Sequence, residues 1–230
     1  MLHLRRRPQR LLFAGPLLAL ITACGGPPPN PTTLLAQAKT TLDATPSLHF
    51  NLSSDNAAGS GALITGGSGD VRRPSSFSGT LNVVFAGLSV DVQAIGVGSQ
   101  FWVRLPTSSS FQLTSPSDYG FGNPSQLMDP DHGLSTLLVQ CQKPVLQSDD
   151  RLNGEQLHEV GCTLPGSLIA ALLVDAHPQT PVAATFGITT SSTQVRRVVL
   201  IGPFFSTQNS TFTLVLDNYG ENVTVTPPSM

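Results

Sequence analysis

A chain of 230 residues is long enough for one sizeable domain with its own core. Charged residues make up only 11% of it, against roughly 25% in an average soluble domain, while Gly reaches 21 and Pro 19. Arg5, Arg6, Arg7 and Arg10 take four of the 12 basic residues, so 8 basic residues face 14 acidic ones in the remainder. That count leaves no clustered basic face for nucleic acid.

The leading arginines precede an almost purely apolar run over 11–23. A spanning helix takes about 20 apolar residues; this run has 13, with Pro16 inside and Gly25-Gly26-Pro27-Pro28-Pro29 after it. The pattern is that of a secretory signal. Thr22-Ala23 ahead of Cys24 resembles the lipobox of bacterial lipoproteins, in which the cysteine thiol takes a diacylglyceryl group and becomes the first mature residue. The predicted organisation is therefore a signal peptide at 1–23, a lipidated Cys24 with a Pro/Gly tether over 24–30, and one domain at 31–230. Its predicted location is the extracytoplasmic side of the cell membrane. With Cys24 spent on lipid, Cys141 and Cys162 have only each other to pair with, in a compartment where thiols oxidise. No His or Cys lies at ligand spacing from either, which argues against a metal.

Asn30-Pro31 reads as the cap and first residue of a helix whose Leu34, Leu35, Ala38 and Leu42 share a face, ending before Pro46. Leu48, Phe50 and Leu52 then alternate with polar residues as a half-buried strand. The Gly- and Ser-rich segment 55–78 predicts an irregular strand and loops. Strands follow at 77–85, around Val90, Val92 and Ala94, and at 100–105 with Trp102, joined by tight turns as a meander. After an irregular stretch from Pro106, Asn123-Pro124 opens a short helical turn. Asp129-Pro130 opens a helix placing Leu134, Leu137, Leu138 and Cys141 on one face. A hairpin over 144–163 turns at Asn153-Gly154. A helix at 167–174, with Leu168 and Leu172, is apolar all round and predicts burial on several sides. Strands at 182–189, 194–201, 211–216 and 222–226 close the chain. Runs of strands with segregated helices predict an α+β fold, an antiparallel sheet with helices on one face.

Catalytic motifs are absent from this sequence. Gly66-Gly67-Ser68-Gly69-Asp70 breaks the G-x-S-x-G pattern at its last position. His132 beside Asp129 and Asp131 reads as an exposed residue near a capping carboxylate, His158-Glu159 as a solvated strand edge, and His177 as a helix-end residue. There is no HExxH, P-loop or dinucleotide fingerprint. No enzyme, cofactor or metal is predicted.

Several features in fixed order carry a resemblance. The lipobox and tether, Leu48-His49-Phe50 after the first helix, Asp129-Pro130-Asp131-His132-Gly133-Leu134, the Leu152-Asn153-Gly154-Glu155 turn and the closing Asp217-Asn218-Tyr219-Gly220-Glu221-Asn222 resemble the LppX/LprA/LprF/LprG family of mycobacterial lipoproteins. The resemblance implies a strongly curved antiparallel half-barrel like that of the LolA/LolB carriers, with helices on its concave face enclosing a hydrophobic cavity for an acylated lipid or glycolipid. On that reading the apolar faces at Leu34 to Leu42, Leu48 to Leu52, Val90 to Ala94, Leu134 to Leu138 and Leu168 to Leu172, with Trp102, are the candidate lining. Membrane contact through acylated Cys24 is implied, and a membrane transporter is a candidate partner. The alternative is a lipid-anchored scaffold or binding subunit with a filled core. The cysteine pair departs from the family pattern and reads as a local staple.

Overall fold

The computed structural model describes residues 27–57, 62–119, 122–173 and 176–229. The predicted signal peptide and Cys24 lie outside them. Helix α1 (Pro31–Ala44) starts where Asn30 Oδ1 accepts the Thr33 N–H at 3.1 Å, with Pro31 at the first helical position. Its Leu34, Leu35, Ala38 and Leu42 are all buried. Burying the three leucines contributes about 5–9 kcal/mol before conformational entropy is subtracted.

Six strands follow as a meander: β1 (Ser47–Asp55), β2 (Leu63–Arg72), β3 (Ser76–Phe85), β4 (Leu88–Val97), β5 (Gln100–Arg104) and the short β6 (Gln112–Thr114). After a long connection come β7 (Gln142–Leu146), β8 (Asp150–Leu152), β9 (Glu155–Leu164), β10 (Val182–Thr189), β11 (Val195–Gly202) and β12 (Ser210–Asp217). All twelve join one antiparallel sheet in the order β6-β5-β4-β3-β2-β1-β12-β11-β10-β9-β7, with β8 paired to β9. First and last strands thus meet in the middle, His49 opposite Asp217 and Asp55 opposite Thr211. The edges are β6 and β7, so the sheet does not close. Residues 115–141 must cross from one edge to the other, and helix α2 (Leu134–Val139) lies on that crossing, against α1. A third helix, α3 (Gly166–Leu172), links β9 to β10.

Four sequence expectations need correction. Of the irregular strand and loops expected over 55–78, Leu63–Arg72 form one ten-residue strand, β2, whose register shifts between Ile64 and Gly66, and its glycines lie where neighbouring backbones and large side chains approach closely. Gly67 has φ 149°, and a Cβ there would stand 2.6 Å from the Thr80 carbonyl oxygen. The helix after Asp129-Pro130 starts only at Leu134 and ends before Cys141. Asp129 Oδ1 accepts the N–H groups of Asp131 and His132, both at 2.8 Å, and so holds a tight turn in place of a first helical turn. Residues 222–226 form no strand, since β1 is already paired on both sides. The Ser47 hydroxyl donates to Glu221 O just before them, and Arg72 donates to Val223 O within them at 3.0 Å. Finally, α3 buries Ile169 but leaves Leu168 and Leu172 half-buried. The short strand β6 was not expected at all.

Cys141 and Cys162 form the predicted disulfide, their Cα atoms 5.6 Å apart, tying the end of the α2 crossing to β9. Asn153 and Gly154, at φ 51° and 88°, make the expected hairpin turn.

Candidate functional site

The inner face of the sheet carries one hydrophobic core, which opens into a cavity toward the end of β1. Toward the start of β1, Leu48, Val71, Phe77 and Leu216 join Leu42 of α1 in a filled core. Toward its end lies a cavity of about 340 Å³. Its floor is Phe50 and Leu52 of β1, Ile64 of β2, Leu81 of β3, Val198 and Leu200 of β11, and Phe212 and Leu214 of β12. Those five adjacent strands, laid flat, would spread over about 19 Å. One compact void touches them all because the sheet curls around it.

Two segments cover the floor. From the edge-to-edge crossing come Gly122, Asn123, Pro124, Gln126, Leu127 and His132, then Leu134 and Leu137 of α2. Leu172 and the adjoining Leu173 come from α3. The covers are joined where the Gly122 N–H donates to Leu172 O at 3.0 Å. Asn123 caps a 3-10 turn (Pro124–Gln126) by accepting the Ser125 N–H, and Ser125 in turn bonds Gly98 O at the β4–β5 turn. This fixes one side of the cover to the sheet.

Of the residues singled out from sequence, Phe50, Leu52, Leu134, Leu137 and Leu172 line this cavity. Leu34, Leu35, Ala38, Leu42, Leu48, Val92, Ala94 and Leu138 lie in the filled core instead. Val90 and Leu168 are half-buried and do not reach the void. Trp102 is buried but stands outside the main core, on the outer face, since its register partners are Ile95 and Leu113 while Phe101 and Val103 face inward. Sequence reasoning missed Ile64, Leu81, Val198, Leu200, Leu127 and Leu173, and left Phe212 and Leu214 off the lining although their alternation was visible. Ile64 was lost because it sits among glycines.

The lining is almost wholly hydrocarbon. Among the described residues Asn123, Gln126 and His132 are its polar members, with no Asp, Glu, Lys or Arg beside them. Charge collects elsewhere. On the outer face Arg197 reaches Asp150 at 2.5 Å and buried Glu159 at 2.7 Å. Hydrogen bonding from Arg197 holds the Asp150 carboxyl below its usual range. Asp149 is lowered chiefly by its bond to His158 at 2.9 Å, and Asp129 chiefly by the Asp131 N–H. Burial raises the Tyr219 phenol, whose hydroxyl donates to Val195 O. These groups pin loops and strand ends in place. Among the described residues no group of three His, Cys, Asp or Glu is placed to hold a metal, and no helix is long and apolar enough to cross a membrane.

The fold is thus an open antiparallel half-barrel whose crossing segment and helices roof an apolar cavity. The sequence matches the LppX_LprAFG lipoprotein family over residues 30–225, and the chain belongs to that family. Among solved structures, LprF from Mycobacterium bovis superposes with a TM-score of 0.72 at 18% identity, covering 90% of this chain and 100% of that one. The lipoprotein LppX of Mycobacterium tuberculosis gives 0.64 at 19% identity, covering 85% of this chain and 98% of the other. At such identities the likeness establishes the fold. No curated protein sequence matches the chain.

Proposed function

We propose that this lipoprotein binds an acylated lipid or glycolipid in the cavity between sheet and cover and carries it between membrane surfaces, anchored on the extracytoplasmic side through Cys24. The observation behind this reading is the cavity itself. An apolar void of about 340 Å³ lined by Leu, Ile, Val and Phe gains nothing from water. Acyl chains fit it chemically. Moving a chain from bilayer to protein exchanges one apolar surrounding for another, so the protein chiefly removes the aqueous barrier, worth about 0.8 kcal/mol per exposed methylene. No bond is made or broken on this reading, and catalysis has no part in it. The cavity is at the small end of ligand pockets, which run roughly 300–1,000 Å³, so a lipid of two or three chains requires the α2 and α3 covers to move outward.

The test is solvent extraction and mass spectrometry of the chain purified from membranes. Lipid with two or three acyl chains is expected, with Cys24 acylated in the N-terminal peptide and the domain released to the soluble fraction by Cys24→Ala. A chain that yields no extractable lipid and takes none up from detergent would overturn the proposal in favour of a filled scaffold.

A further inference from the structure

The apolar inner face of the sheet does not stop where its cover stops. Along β3, Leu81, Val83 and Phe85 point the same way; the first two are 4% exposed and Phe85 is 61% exposed. Their partners on β4 repeat the pattern, with Val92 at 2%, Val90 half-buried and Leu88 at 70%. Leu81 is part of the cavity floor, so a continuous apolar track leaves the cavity and ends about 13 Å farther on, at the hairpin tip. Ala86 and Gly87, at φ 49° and 80°, turn the hairpin tightly and set Phe85 directly opposite Leu88. No ionisable residue lies between Val83 and Val90. The first one, Asp91, is on the opposite face, bonded to Asn82 at 2.6 Å. The tip also belongs to the hollow end of the molecule, because Ile64 of the cavity floor pairs with Val83.

We infer that the β3–β4 hairpin tip is a membrane wedge: Phe85 and Leu88 bed in the acyl region of a lipid leaflet and lead acyl chains along Val83 and Val90 into the cavity. Docking of the tip stands on its own, and the guiding of chains rests on the lipid-carrier reading above. A lipid surface suits the tip better than a second copy of the chain. Two side chains bury a few hundred Å² at most, far below the roughly 1,000 Å² that a stable protein interface needs, whereas a bilayer sets no such minimum. The length of the tether argues the same way. Cys24 to Asn30 can reach no more than about 20 Å, so an acylated Cys24 keeps the domain within touching distance of the leaflet.

The experiment uses the chain expressed with its own signal, purified from membranes and reconstituted in phosphatidylcholine vesicles containing lipid spin-labelled near the top of the acyl chain. The Phe85→Trp and Leu88→Trp variants are expected to lose about half or more of their added fluorescence to the spin label. Leu113→Trp, level with Ile95 and so about 23 Å back from the tip, is expected to lose none. The Phe85→Ser/Leu88→Ser double variant is expected to extract lipid from vesicles about tenfold or more slowly, with unchanged loading when lipid is presented in detergent. Unquenched Phe85→Trp and Leu88→Trp variants overturn the wedge. So does a fluorescence shift that needs no vesicles and follows protein concentration, which marks a self-association contact. Quenching together with normal extraction by the double variant overturns the guiding role alone. Failure to load lipid from detergent in the unmodified chain counts against the carrier reading and leaves the quenching result to decide the wedge.

Discussion

Leu200→Trp separates a hollow site from a packed one. Leu200 lies on β11 opposite Phe212, is half-buried and faces the cavity. The indolylmethyl side chain carries about six more non-hydrogen atoms than an isobutyl group, so it displaces about six lipid methylenes, a ceiling of about 5 kcal/mol at 0.8 kcal/mol each. A flexible chain recovers part of that by bending, and a loss of tenfold or more in lipid affinity, at least about 1.4 kcal/mol, is expected. The fold has room for the ring, so the melting temperature of the lipid-free variant is expected to hold or rise. Ala94→Trp is the contrast. Ala94 is 1% exposed in the filled core, opposite Gly79 and Val103. Overpacking there costs about 1–3 kcal/mol or more, several degrees of melting temperature in a domain of this size. Titration with a fluorescent acyl probe and thermal melts of both variants decide the matter. Unchanged probe affinity in Leu200→Trp with a melt depressed like that of Ala94→Trp would refute the reasoning, because the void would then not be the binding site.

Reducing Cys141–Cys162, which spans 21 positions, is expected to cost about 3 kcal/mol by releasing denatured-state constraint; chemical denaturation with and without reductant measures it, and an unchanged midpoint contradicts it. Gly67→Ala forces a side chain into φ 149° and against the Thr80 carbonyl, and a loss of about 1–3 kcal/mol is expected in the same assay. Asp129 and Asp149 have lowered carboxyl pKa values, so their contribution is complete above the unfolded value of about 3.9 and is lost as pH falls through the folded value. Melting temperatures should hold from pH 7 to about 5 and drop below about 4, with Asp149→Asn flattening part of the drop; partial exposure keeps each group under about 1 kcal/mol. Tyr219 works in the other direction. Burial raises its phenol, so stability is full below about pH 10 and declines above it, and Tyr219→Phe should remove that alkaline slope.

Local pattern was sufficient for much of the architecture. Asn30-Pro31 set the start of α1, alternation identified β1 and β4, and Asn153-Gly154 located the β8–β9 turn, because caps, period-2 burial and positive-φ turns act over a few residues. The pairing of Cys141 with Cys162 needed only arithmetic. The glycines of β2 were legible only in part: the irregular strand is there, its register shifting between Ile64 and Gly66, but a close backbone approach and a loop leave the same mark on a sequence. The Asp129-Pro130 start misled as well, since an Asp before Pro caps a turn as readily as a helix. What alternation cannot reveal is whether an inward-facing side chain meets another side chain or a void. Leu48 and Leu52 lie on one face of one strand, yet Leu48 packs against the core and Leu52 faces the cavity. That difference comes from where α1 ends its coverage, from the curl that brings β3 and β11 around one space, and from a crossing that must run between the two sheet edges. All three are set by contacts between residues distant in sequence, so only the tertiary structure decided them.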